Sequence, residues 1–140
     1  MKITSRQVTG CYQSVVDNGR HHGVVVDLPE TKAGDDVGAT ALELAAMALA
    51  GCITTIWAVV ANNSNCGYRK ILVELDMDKP DDAPTFTGGT ALVKVDSDES
   101  QEKLERILEK TMNACPVGRL FEAANVEVKT TLSKESLLPS

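Results

Sequence analysis

The chain has no block of lysine or arginine anywhere along its 140 residues, and its formal net charge is −6. Nucleic acids and anionic membrane surfaces bind concentrated positive patches, so we expect neither as a partner. The sequence also has no P-loop, no dinucleotide-binding glycine fingerprint and no serine nucleophile elbow. What the chain does must therefore be carried by other side chains, and the four cysteines are the first candidates.

The N-terminal segment MKITSRQVTG has no apolar run and no small-residue cleavage site, so it lacks the pattern of a secretory signal. We therefore expect the protein in the cytoplasm, where thiols stay reduced. Cysteines there indicate packing, metal binding or redox chemistry rather than a disulfide scaffold. His21 and His22 have no cysteine or carboxylate at ligand spacing, so we expect no bound metal.

The composition, with 43% hydrophobic and 24% charged residues, is that of an ordinary globular protein. Together with the length, it predicts a single domain over residues 1–140, with residues 133–140 as a loose tail. Two strands are predicted at residues 7–16 and 23–28, joined by a hairpin at Asp17-Asn18-Gly19. Cys11 falls in the first of these strands, and Arg20 lies just past the hairpin tip.

A long helix is predicted from Thr40, whose side chain can form a capping box with Glu43, to about Ala61. The helix is apolar nearly all round, so it must be covered by its own sheet and helices or by another subunit. Residues 44–61 are long enough to span a membrane. They are rich in alanine, contain two threonines and lack a basic flank, which favours a buried central helix.

The second half alternates between strands and helices. Residues 71–78, 91–95 and 126–132 show the alternation of strands, a helix is predicted to open at Ser97, and Pro116 can start a second, short helix. Runs of strands separated by helices, with hairpins, predict an α+β fold with antiparallel sheets.

Cys115 stands directly before Pro116, where it can cap the short helix, and free backbone N–H groups at a helix start favour a thiolate. Packing against the preceding helix is an equally good interpretation. Cys52 lies inside the long apolar helix, where packing is the simpler reading because free cysteine is among the most buried residue types. Cys66 precedes Gly67 in a predicted turn, where we expect it to be exposed.

A reactive thiolate needs a cation or hydrogen-bond donors. Arg20 at the hairpin tip is our candidate, although a solvated turn arginine is the alternative, and Arg119, one turn past Cys115, is a rival. Glu43 is nine residues from Cys52, half a turn out of phase at 100° per residue, so it faces away from the thiol.

Two segments resemble a known family. ELAAMALAGC, which ends in Cys52, and ACPVGRL, which carries Cys115, are similar to the two cysteine motifs of the OsmC/Ohr superfamily of osmotically inducible and organic-hydroperoxide-resistance proteins. The resemblance covers about residues 7–133. It implies an α+β OsmC-like fold in which two chains intertwine as a homodimer, with antiparallel sheets around long central helices.

The resemblance also implies a cysteine-based hydroperoxide reductase of the stress response. In that reading Cys52 is the peroxidatic thiol, Cys115 is the resolving thiol, and an arginine from the N-terminal strands, matched by Arg20, completes the site. The substrate would be a small organic hydroperoxide and no cofactor would be bound, because an external dithiol of the lipoyl type would supply electrons. The helix-start argument alone would instead make Cys115 the more acidic thiol.

Two alternatives remain open from the sequence. One is a non-catalytic OsmC-like dimer that binds a small apolar ligand and uses its cysteines only for packing. The other is a thiol redox sensor, which would form the same disulfide without turnover.

Overall fold

The computed structural model describes residues 1–137, which form three α-helices, a short 3₁₀ helix at Glu30–Lys32 and two three-stranded sheets. In chain order the elements are β1 Thr4–Gln7, β2 Ser14–Asp17, β3 Gly23–Val26, α1 Ala41–Asn63, β4 Lys70–Asp78, β5 Gly88–Asp96, α2 Gln101–Ala114, α3 Pro116–Ala123 and β6 Glu127–Lys134. The chain divides into two compact units, Met1–Ala45 and the part from Ala46 onward. The predicted α+β class is confirmed, while the prediction of a single domain stays a prediction.

The N-terminal unit is an antiparallel sheet in the order β1-β2-β3. The predicted hairpin joins β2 to β3, with Gly19 at a φ of 69° in the turn. The single strand predicted over residues 7–16 is wrong. A turn at Gly10, whose φ is 85°, breaks it into β1 and β2, and Cys11 lies in that turn rather than in a strand.

The loop after β3 is organised by a buried carboxylate. Asp27 accepts hydrogen bonds from the backbone N–H groups of Leu28 at 2.8 Å and of Asp35 and Val37 at 3.2 Å each. Burial alone would raise the pKa of this carboxyl, but the three donors favour its charged form and hold the pKa below its usual value. One side chain therefore fixes a loop that has little regular structure of its own.

The second unit packs its helices on one face of a sheet in the order β4-β5-β6. Each helix contributes apolar positions at helical spacing, and the strands contribute alternate residues. The fully enclosed members are Leu49, Ile53, Trp57 and Ala61 of α1, Ala91, Val93 and Val95 of β5, and Leu104 and Ile107 of α2.

The pairing of β5 with β6 is parallel, whereas the other strand pairs are antiparallel as predicted. The connection from β5 to β6 runs through α2 and α3. A crossover of this kind returns the chain to the same end of the sheet, which a hairpin cannot do. This crossover also determines where Cys115 lies, because Cys115 is the residue between its two helices.

Helix α1 begins with the predicted capping box. The Thr40 N–H donates to Glu43 Oε2 at 2.7 Å, and the Glu43 N–H donates to Thr40 Oγ1 at 3.2 Å. By length and composition α1 could cross a membrane, since its most apolar window has a mean hydropathy of 2.1, with 22% of that window buried within the chain. Met47 and Val59 of α1 are 59% and 54% exposed, so the rest of the chain covers only part of this helix and leaves an apolar face open.

Two details of the sequence prediction, the start of α2 and the exposure of Cys66, are corrected in the second unit. Helix α2 starts after its N-cap Ser100, because Ser97 instead donates to the Gly67 carbonyl and accepts from the Glu99 N–H. Cys66, expected to be exposed, is only 6% exposed and belongs to the apolar core.

The predicted loose tail is also corrected in its first part. Ser133 and Lys134 belong to β6, which pairs with β5 as far as Val95. Beyond the strand, the Glu135 N–H donates to the Val95 carbonyl and the Leu137 N–H donates to Asp96 Oδ2, both at 3.1 Å. Residues 138–140 lie outside the described part of the chain.

Replacing Asp27 with asparagine should destabilise the N-terminal unit, because the Asn amide group would place N–H donors against backbone N–H donors. We expect the Tm to fall by several degrees in thermal unfolding near pH 7, while Asp36→Asn, an exposed change in the same loop, should leave it unchanged. Because the Asp27 pKa is lowered on folding, its contribution is present above about pH 4 and is lost below it. The difference in Tm between the wild type and Asp27→Asn should therefore become smaller in acid. Equal Tm values for these two proteins near pH 7 would contradict the role assigned to Asp27.

Candidate active site

Cys52 is positioned by the buried stripe of α1. It lies between Leu49 and Ile53 in the sequence of that helix, and both of these side chains are enclosed in the core. Cys52 itself is a free, half-buried thiol that packs against the same core. The helix therefore places Cys52 at the edge of the core, where the residue stays partly accessible.

Cys115 is positioned by the junction of α2 and α3. It ends α2 and is the N-cap of α3, since Pro116 cannot continue the first helix but can occupy the first turn of the second. Its sulfur accepts a hydrogen bond from the Gly118 N–H at 3.3 Å, in place of the usual capping oxygen. The thiol is free and fully buried, with 0% exposure.

The structure brings these two sulfurs together. The Cys115 thiol donates to Cys52 Sγ with 3.0 Å between the sulfur atoms, although the residues are 63 positions apart in the chain. A disulfide bond is about 2.05 Å long, so the two sulfurs need to approach by only about 1 Å to bond. A disulfide between them would therefore need only a short approach of the two sulfurs, together with an oxidant that takes up two electrons and two protons.

Burial decides the acidity of Cys115. Its buried position and the hydrogen bond that it donates to Cys52 raise its pKa to about 11, and the Gly118 N–H at the helix start offsets this only in part. The helix-start argument, which made Cys115 the more acidic thiol, is therefore wrong for this residue. At neutral pH Cys115 carries its proton.

The two candidate cations, Arg119 and Arg20, lie in different units of the chain. Arg119 is exposed and donates to Glu122 Oε2 at 2.7 Å on the surface of α3. Arg20 belongs to the N-terminal unit, where it is exposed in the β2–β3 turn and its backbone N–H donates to Asn18 Oδ1. The role of Arg20 as the active-site cation stays a prediction.

A cavity of about 490 Å³ lies beside Cys115, although neither cysteine is among its lining residues. It shares Gly118 with the pair and has an apolar wall and a polar rim. The wall is formed by Leu49, Met112, Phe121, Val126 and Val128, and the rim includes Asn113, Arg119, Glu122 and Glu127. The sequence reasoning missed Gly118 and this cavity, although the position of Gly118, three residues after a capping Cys115, is where an N-cap finds its donor.

The fold and the paired thiols define an α+β protein with a candidate dithiol site. A family model described as OsmC-like protein matches residues 33–131. The chain therefore belongs to the OsmC-like family. No curated protein gives a significant match.

Solved structures of the family have the same fold. An OsmC-like protein from Mycoplasma pneumoniae is 11% identical with a TM-score of 0.84, covering 96% of both chains. The organic hydroperoxide resistance protein OsmC from Legionella pneumophila is 17% identical with a TM-score of 0.72, covering 95% of this chain and 97% of the other. OhrB of Bacillus subtilis, an organic hydroperoxide resistance protein, is 21% identical with a TM-score of 0.67, covering 94% and 96%. These likenesses confirm the predicted OsmC-like fold.

The different burial of the cysteines predicts an order of alkylation. In the native reduced protein, iodoacetamide at pH 7 to 8 should modify Cys52 well before Cys115, because Cys115 is fully buried and its pKa of about 11 keeps it neutral. Cys66 serves as the buried reference, and both Cys66 and Cys115 should react at normal rates in denaturant. Peptide mass spectrometry after timed quenching measures the order, and equal native rates at Cys52 and Cys115 would contradict the geometry.

Proposed function

We propose that this protein is a thiol-dependent peroxidase that reduces organic hydroperoxides to alcohols. The observation that carries the proposal is the contact between the Cys52 and Cys115 sulfurs at 3.0 Å. Packing alone does not require two thiols from distant parts of the chain to face each other with one accessible and one buried. The hydroperoxide-resistance proteins among the structural neighbours give the chemistry a context.

In the first step, the Cys52 thiolate attacks the outer oxygen of the hydroperoxide. The O–O bond breaks, the alkoxide takes a proton and leaves as an alcohol, and Cys52 becomes a sulfenic acid. The accessible thiol is the one that a substrate can reach, which assigns Cys52 to this role. The apolar wall of the neighbouring cavity suits the alkyl part of such a substrate.

In the second step, the Cys115 thiol attacks the Cys52 sulfur. The S–O bond breaks, water leaves and a Cys52–Cys115 disulfide forms, so that two thiols and one hydroperoxide give one disulfide, one alcohol and one water. An external dithiol, of the lipoyl type, then restores both thiols by exchange and is itself oxidised to a disulfide. Arg20 is our proposed cation for the site.

We also propose that the working form is a homodimer. Helix α1 is apolar on the faces that its own chain leaves exposed, including Met47 and Val59. A second copy would remove this surface from water, and exposed apolar patches of this kind commonly mark interfaces. Burying α1 against a second copy requires no membrane around it, and we propose that the protein works in the cytoplasm.

The peroxidase proposal predicts turnover that depends on the two cysteines unequally. With a dithiol reductant and cumene hydroperoxide, the wild type should consume many equivalents of peroxide per chain. Cys52→Ser should abolish consumption, because no thiolate remains to attack. Cys115→Ser should leave a sulfenic acid on Cys52 that dimedone traps and mass spectrometry detects.

Cys11→Ser is the matched control, because Cys11 lies in the N-terminal turn and should not affect turnover. Formation of the disulfide without turnover would indicate a redox sensor instead. Peroxide consumption that neither active-site variant changes would overturn the proposal.

The dimer proposal predicts a mass in solution of twice the 15.0 kDa chain by light scattering coupled to size exclusion. Val59→Lys places a charge on the exposed apolar face of α1 and should shift the population towards monomer. Glu109→Lys, an exposed change on α2, is the control and should leave the dimer intact. A wild-type monomer at micromolar concentration would contradict this proposal.

A further inference from the structure

The direction of the hydrogen bond between the two thiols is set by their surroundings. The Cys115 sulfur already accepts from the Gly118 N–H at 3.3 Å, and its own S–H points to Cys52 Sγ. Because Cys115 is fully buried, no water competes for this proton. Among the described hydrogen bonds, the Cys115 thiol is the only side-chain donor to the Cys52 sulfur.

We infer that Cys115 has a role before the disulfide forms. Its thiol donates a hydrogen bond that stabilises the Cys52 thiolate and thereby activates Cys52. The inference rests on the proposed function and adds a step to it. Cys115 then acts twice, as a positioning residue while peroxide is attacked and as the nucleophile that forms the disulfide afterwards.

The physical reason lies in the difference between a neutral and a charged acceptor. A thiol is a weak donor to a neutral sulfur, but hydrogen bonds to an ionised acceptor are shorter and roughly twice as strong. A hydrogen bond that stabilises the charged form of an ionisable group shifts the ionisation equilibrium towards that form. The raised pKa of Cys115, about 11, keeps the donated proton on Cys115 near neutral pH.

The charged groups around the pair do not replace this donor. Arg119, Glu122 and Glu127 line the cavity beside the pair and are exposed, and Arg119 is already paired with Glu122. The other side chains that line the cavity are apolar or amide groups, among them Met112 and Asn113. Among the described hydrogen bonds of the second unit, the side-chain donor to the Cys52 sulfur is therefore the neutral Cys115 thiol.

Two substitutions at the same position separate activation from resolution. Cys115→Ser keeps a donor, now a hydroxyl, whereas Cys115→Ala removes it, and both remove the resolving thiol. The readout is the pH profile of Cys52 alkylation by iodoacetamide, followed on the Cys52 peptide by mass spectrometry. We expect the midpoint to stay near the wild-type value in Cys115→Ser and to rise by about one pH unit in Cys115→Ala.

The first chemical step should follow the same order. In single turnover with cumene hydroperoxide near pH 7, formation of the trapped sulfenic acid should be about tenfold slower in Cys115→Ala than in Cys115→Ser. Equal midpoints in the two variants, whether or not they differ from the wild type, would overturn the inference.

The alkylation profile uses no peroxide, so its result does not depend on whether the protein is a peroxidase. Shifted midpoints without peroxide consumption would refute the proposed function and keep the activating contact. Circular dichroism checks that each variant is folded. Where Cys115→Ala fails to fold, Cys115→Thr and Cys115→Val give the same comparison between a donor and an isostere without one.

Discussion

The contact between the Cys52 and Cys115 sulfurs is the interaction on which the rest of the site depends. It exists because two independent pieces of architecture meet. Helix α1 holds Cys52 beside its buried stripe, and the break between α2 and α3 holds Cys115 with its sulfur on the Gly118 N–H. In the described part of the chain each of these sulfurs has the other as its thiol neighbour, and an oxidant that removes two electrons and two protons would join them as a disulfide.

Burial distinguishes the two thiols. It removes Cys115 from solvent and raises its pKa to about 11, although its place at a helix start works the other way. Cys52, by contrast, is only half-buried against the core. The asymmetry distinguishes the two sulfurs, since Cys52 is partly accessible whereas Cys115 is enclosed and contacts Cys52. A protonated Cys115 is also the form that can donate to Cys52.

Much of the fold follows from local patterns in the sequence. The capping box at Thr40 and Glu43, the hairpin at Gly19 and the Cys115-Pro116 junction are short-range signals, and the structure has each of them. The family was also recognisable from two short motifs, and the match over residues 33–131 bears this out.

Other features could not be predicted because they depend on distant contacts. The parallel pairing of β5 with β6 and the burial of Cys66 both result from how elements pack, which periodicity does not show. The prediction that Cys115 is the more acidic thiol was wrong for the same reason. The helix start was visible in the sequence, whereas the full burial that outweighs it was not.

The central claim is that the two sulfurs form one redox pair, and counting thiols tests it most directly. The reduced protein has four free thiols per chain. After one equivalent of an organic hydroperoxide, the account predicts that two thiols disappear rapidly and that peptide mapping finds a single intrachain bond between Cys52 and Cys115. Retention of all four thiols, or a disulfide that joins other cysteines, would contradict it.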